Sequence, residues 1–253
     1  MPRRDPRRIR ILLAVFALGV FAGCAQSPSK QATTAHGLSP SGRNNLGAAQ
    51  GYLGQHQDVR AMEYARLALQ TDPDAPEVHV VIAQIQDASG DQAKAGKSFS
   101  RALKLSPGSG MVLNAHAAWL CGHGQIDAAD LEFARALRDP GYKTPMQALA
   151  NAGKCAHKAR RWPRAEQYFR HALEFAPEDP QLLYLLADTE LQQGQVLEAR
   201  AFVQRRDALG ADAATLQLAA SIEDAAGDGA SASRLRQRLR DEFPDNVPGA
   251  ATP

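Results

Sequence analysis

The sequence predicts an all-α protein: a right-handed superhelical solenoid of six helix-turn-helix repeats over residues 42–245. Three observations carry this prediction. Ala61, Ala95, Ala129, Ala165, Ala199 and Ala232 recur at intervals of 34, 34, 36, 34 and 33 residues, a period that marks stacked hairpins. A second small residue stands twelve positions before each of them: Ala49, Ala83, Ala117, Gly153, Ala187 and Ala220. Two small residues at fixed phase let the two helices of a hairpin approach closely. Composition agrees, because aromatics make up only 6% of an alanine-rich chain, which disfavours an all-β sandwich or barrel.

Ahead of the repeats lies a targeting segment. Arg3, Arg4, Arg7, Arg8 and Arg10 precede an apolar run from Ile11 to Gly23 of 13 residues. As a helix that run spans only ~20 Å against a hydrocarbon layer of roughly 30 Å, so residues 1–23 read as a secretory signal peptide rather than a membrane anchor. Its end, Phe21-Ala22-Gly23-Cys24, resembles the bacterial lipobox, which implies lipidation of Cys24. Ala25 replaces the Asp that retains many such proteins in the inner membrane, so the expected location is the periplasmic side of the outer membrane of a Gram-negative bacterium. Residues 24–41 are rich in Ser, Thr, Pro and Gln and have too few large apolar side chains to fold, so they read as a flexible tether. Residues 246–253 read as a disordered tail.

Within the repeats the order of marks is regular. Gly90, Gly124, Gly194 and Gly227 fall at the turn between helices, and His56 takes that place in the first repeat. Phe99, Phe133 and Phe169 occupy a bulky position across the hairpin. Second helices close on Ala68-Leu69, Ala102-Leu103, Ala136-Leu137 and Ala172-Leu173. Pro73, Pro107, Pro140, Pro177 and Pro244 follow, where proline stops a helix. The fifth repeat departs, with Arg206-Asp207 in place of Ala-Leu and Gly210 in place of proline. The pattern resembles the tetratricopeptide repeat, which implies a concave face lined by first helices that binds proteins. In that register Leu46, Gln50, Leu53, Val80, Gln84 and Asp87 line the groove of the first two repeats.

Several chemistries are disfavoured. The chain has 29 basic and 27 acidic residues, and without the leader 24 and 26, so no overall field draws nucleic acid. No serine-hydrolase elbow, zinc-protease helix, P-loop or dinucleotide fingerprint occurs, so the reading is a non-enzyme with no small-molecule substrate. Cys121-Gly122-His123 and Cys155-Ala156-His157 look like zinc ligands, but residues two apart on a helix diverge by about 200°, so one metal could not take all four. No metal or other cofactor is expected beyond the covalent lipid on Cys24. The cysteines fit either a Cys121–Cys155 disulfide, which an exported chain can keep, or two buried thiols.

Residues 112–124, VLNAHAAWLCGHG, resemble a segment of the type IV pilus biogenesis lipoproteins of the PilF/PilW family. Asn114, Leu120, Cys121 and Gly124 match it, whereas Ala115, His116, Ala117 and Trp119 depart. ALANAGKC at 148–155 and AEQYFRHAL at 165–173 fit the following repeat, and the GYKTP loop after Asp139-Pro140 accounts for the 36-residue interval. This resemblance implies a pilotin: an outer-membrane lipoprotein that binds pilus secretin subunits and promotes their localisation and multimerisation. The residues alone leave open a lipoprotein scaffold for another envelope machine, or a regulator of cell-wall enzymes.

Overall fold

A computed structural model describes residues 37–246. The signal peptide, Cys24, the tether as far as residue 36 and the tail from residue 247 lie outside the described residues.

Twelve α-helices in six antiparallel hairpins make up the described residues, with no strand among them. The hairpins are α1 (Pro40–Gly54) with α2 (Asp58–Thr71), α3 (Pro76–Ala88) with α4 (Gln92–Leu105), and α5 (Gly110–Gly122) with α6 (Ile126–Ala136). Then follow α7 (Pro145–Lys158) with α8 (Trp162–Phe175), α9 (Pro180–Gln192) with α10 (Val196–Ala208), and α11 (Ala213–Ala225) with α12 (Gly229–Glu242). A single 3-10 turn, Pro244–Asn246, ends the described chain. This is an all-α tetratricopeptide-repeat solenoid.

Local chemistry sets the helix starts. Pro40, Pro76, Pro145 and Pro180 open first helices, where a missing N–H costs nothing. Ser39, Ser109, Asp179 and Asp212 cap first helices by accepting a free backbone N–H. The first helix therefore begins inside the segment expected to be tether: Ser39 caps it, and Leu38 packs against the first hairpin's core.

The paired small residues do what their spacing requires. Ala49 and Ala61, Ala83 and Ala95, Ala117 and Ala129 are all fully buried at the hairpin crossings. In the fourth hairpin Gly153 lies under the ring of Phe169, and a Cβ added there would come within 2.5 Å of that ring. Phe99, Phe133 and Phe169 are buried between helices, each contributing roughly 1.5–3 kcal/mol from burial.

Packing between hairpins corrects part of the groove reading. Leu46 and Val80 are only 6% and 4% exposed, so neither lines an open surface. Leu46 shares a core with Val78, Val81 and Ile82 of α3, and Val80 shares one with Phe99 and with Val112 of α5. Successive first helices pack closely enough to seal the side chains at this position between them.

Two departures from the repeat have local explanations. In the fifth repeat the Arg206 guanidinium donates to the Gly210 carbonyl at 2.6 Å and to Asp212 at 2.8 Å, tying the last turn of α10 to the cap of α11. In the long loop after α6, the Asp139 carboxylate accepts the N–H groups of Gly110 at 2.7 Å and Gly141 at 2.8 Å. Those two donors hold the Asp139 carboxyl below the usual carboxylate range. The ring of Tyr142 then sits where a Cβ of residue 110 would be, so glycine is required at the start of α5.

Candidate functional site: a groove walled by tryptophan

First helices of the first three hairpins border an open groove with a cavity volume of about 600 Å³. Gln50 and Leu53 of α1, Gln84 and Asp87 of α3, and Ala115, Ala118 and Trp119 of α5 line it, with Phe99 behind. Four of the six residues that the repeat register placed in the groove are therefore brought together there.

Trp119 forms the wall, and its setting is polar at every edge that can hydrogen-bond. Its indole N–H donates to Asp87 Oδ1 at 3.0 Å, and His123 Nε2 lies 3.2 Å from the same oxygen. His123 Nδ1 lies 2.8 Å from the Trp119 carbonyl. On the other side the His116 ring stacks on the indole with centroids 5.5 Å apart and planes inclined by 18°. His116 Nδ1 in turn lies 2.7 Å from Glu132 of α6. Two carboxylates, two imidazoles and the Phe99 ring thus fix one indole, so a partner meets a wall that is already ordered.

Sequence reasoning passed over this cluster. The available signal was His116, Trp119 and His123 at intervals of three and four, which share one face of a helix.

Cys121 stands on the same helix between Trp119 and His123, and it is bonded to Cys155 of α7. The two Cα atoms are 5.8 Å apart, so the bond joins first helices of adjacent hairpins directly. Closing a loop of this length stabilises by roughly 3–4 kcal/mol in the chain-entropy picture. The histidines of the two Cys-x-His units turn away from the sulfurs. His123 goes to Asp87, and His157 Nε2 lies 2.7 Å from Asp188 Oδ2 of α9. No group of three or more His, Cys, Asp or Glu suited to a metal occurs among the described residues.

Past the disulfide the row of first helices changes character. Asn151 donates to Asn114 at 3.1 Å, and Lys154 donates to Gln181 at 3.0 Å. The His157 hydrogen bond holds the Asp188 carboxyl below its ordinary range, against the opposing effect of burial. Along the row of first helices the groove beside Trp119 thus gives way to hydrogen-bonded polar side chains on α7 and α9. Cys24 lies outside the described residues, and no described helix is long and apolar enough to cross a membrane.

Comparisons with known proteins agree with this architecture. Two tetratricopeptide-repeat models match residues 76–109 and 156–222. The type IV pilus assembly protein PilF of Pseudomonas aeruginosa is 22% identical over 191 residues, which cover 76% of this chain and 75% of that protein. The crystal structure of PilW, described as a widely conserved type IV pilus biogenesis factor, is 27% identical and superposes with a TM-score of 0.73. That match covers 81% of this chain and 95% of PilW. A structure of Pseudomonas aeruginosa PilF, at 20% identity, superposes with a TM-score of 0.69 over 81% of this chain and 92% of that one.

The chain is a tetratricopeptide-repeat protein, a class built to hold other proteins. Within that class it is PilF/PilW-like, related to factors of type IV pilus biogenesis.

Proposed function

We propose that this chain is an outer-membrane lipoprotein acting as a pilotin: it binds pilus secretin subunits and promotes their outer-membrane localisation and multimerisation. The observation that carries the reading is the near-complete superposition on PilW, which extends over the repeat solenoid rather than over one or two hairpins. Lipid on Cys24 supplies the anchor, each buried methylene adding about 0.8 kcal/mol. The roughly 14 residues from Cys24 to Gly37 would, as a flexible chain, reach ~19–22 Å, enough to present the groove to a client without fixing its orientation.

The groove walled by Trp119 is the secretin-binding surface in this account. Trp119, an ordered indole at the edge of this groove, is the kind of side chain that anchors protein interfaces, and half-buried Leu53 and exposed Ala118 flank it. Leu53→Glu and Ala118→Glu are expected to weaken secretin binding about tenfold or more; exposed Ala118→Glu should melt near wild type, and Leu53→Ala, which removes the same core packing without a charge, controls for stability at position 53. A charge at Val80 is no test of binding, since that side chain is in the core. Binding that survives both groove substitutions would assign the client to another face.

A further inference from the structure

Trp119 also lines a second cavity, of about 680 Å³, bounded by α4 and α5. Its α4 side carries Lys97, Ser100, Arg101 and Lys104, and its α5 side carries His116, Trp119 and Leu120. On α4 these residues fall at i, i+3, i+4 and i+7, so they form one stripe. Lys97 and Lys104 lie ~10 Å apart along the helix axis.

Three features set this cleft apart from an ordinary solvated helix face. The α4 helix has four basic residues and no acid, whereas the second helix of every other hairpin contains Asp or Glu. Lys94 pairs with Asp91 and Arg101 with Asp74, whereas Lys97 feels Asp91 only at longer range, and neither Lys97 nor Lys104 makes an ion pair within 4.0 Å among the described residues. The third feature is Gly96. A Cβ there would stand 3.4 Å from the Trp119 ring, and the glycine leaves that edge of the indole open to the cleft. Other hairpins place Met62, Asp130, Glu166, Arg200 or Ser233 at the same step after the crossing alanine.

We infer that the α4–α5 cleft binds an acidic protein segment in extended form, with an apolar or aromatic side chain seated against Trp119 beside Gly96. Carboxylates at alternate positions of an extended chain lie ~7 Å apart on one side, and the long lysine stems can close the difference from the ~10 Å between Lys97 and Lys104. Charge complementarity then sets register along the lysine stripe, and the aromatic side chain supplies the anchor. A flat anionic membrane offers the charges but nothing that enters a cleft. The inference does not depend on the pilus reading.

The test uses the purified full chain and a fluorescein-labelled ten-residue peptide with glutamate at three alternate positions and one central phenylalanine. Binding is expected with Kd below ~1 mM, weakening as salt is raised. Lys97→Glu with Lys104→Glu should weaken it at least about tenfold. Gly96→Met, the residue of the first hairpin, should do the same by filling the cleft while circular dichroism and melting stay near wild type. A peptide with lysine replacing each glutamate should not bind, and phenylalanine to alanine should cost most of the affinity. The inference is overturned by no binding up to ~1 mM, by equal binding of the lysine peptide, or by full affinity in the lysine and glycine variants. Binding to anionic vesicles that exceeds binding to the peptide would equally overturn it, by making the stripe a membrane surface.

Discussion

Glu190, on α9, is fully buried, yet its carboxylate has one ionic partner, Arg170 at 2.5 Å, and its second oxygen has no hydrogen-bond partner among the described residues. Burial raises its pKa from the ordinary 4.5, the nearby Glu166 raises it further, and Arg170 opposes both. The sign of the consequence follows from proton linkage. Well below pH 4.5 the folded and unfolded chains both hold the proton, and above that the folded chain keeps one that the unfolded chain has released. Stability is therefore lost as the pH rises from 4.5 through the raised folded value. Glu190→Gln is expected to remove that slope, so its melting temperature relative to wild type should climb from pH 4 to neutrality. Thermal melts of both proteins across that range decide it, and a constant difference would show that Arg170 fully compensates the charge.

At the scale of an element, the turn inside each hairpin needs one residue in the left-handed region. Gly90, Gly124, Gly194 and Gly227 supply it with φ between 76° and 81°. His56 and Arg160 adopt φ of 56° and 55° at the matching turns, where a Cβ is strained. Replacing either by glycine should relieve the strain by more than the added unfolded-state freedom costs, a net gain of about 0.5 kcal/mol each. Gly90→Ala should lose roughly 1 kcal/mol, and chemical denaturation of the three variants reads both signs. A loss in His56→Gly and Arg160→Gly would mean that local contacts of those side chains outweigh the strain.

The same scale explains what could be read in advance. Helix pairing was legible because Ala and Gly at the crossing points are demanded by contact within one hairpin, a local matter of 34 residues. Leu46 and Val80 were misplaced because their burial depends on how one hairpin meets the next, which no repeat period specifies. Asp87 was placed in the groove, yet its part in fixing Trp119 was not visible: the pair is separated by 32 residues and joined only when α3 packs on α5. The long loop before α7 was recognised as an insertion, but its anchoring through Asp139 required coordinates.

For the whole molecule, the solenoid divides its labour along its length. On the first-helix side the first three hairpins carry the groove and the Trp119 wall, the disulfide ties the third hairpin to the fourth, and hydrogen-bonded polar side chains follow on α7. Under the proposed function, a client captured by the first hairpins would be brought to the membrane by lipid on Cys24. The central claim is that this delivery determines where secretin assembles. The direct measurement is secretin in fractionated membranes of strains that carry no copy of this chain, the wild type, or Cys24→Ala. The account predicts that multimers disappear from the outer membrane without the chain, return with the wild type, and stay reduced or misplaced to the inner membrane with Cys24→Ala. Normal outer-membrane multimers in the strain that lacks the chain would contradict it.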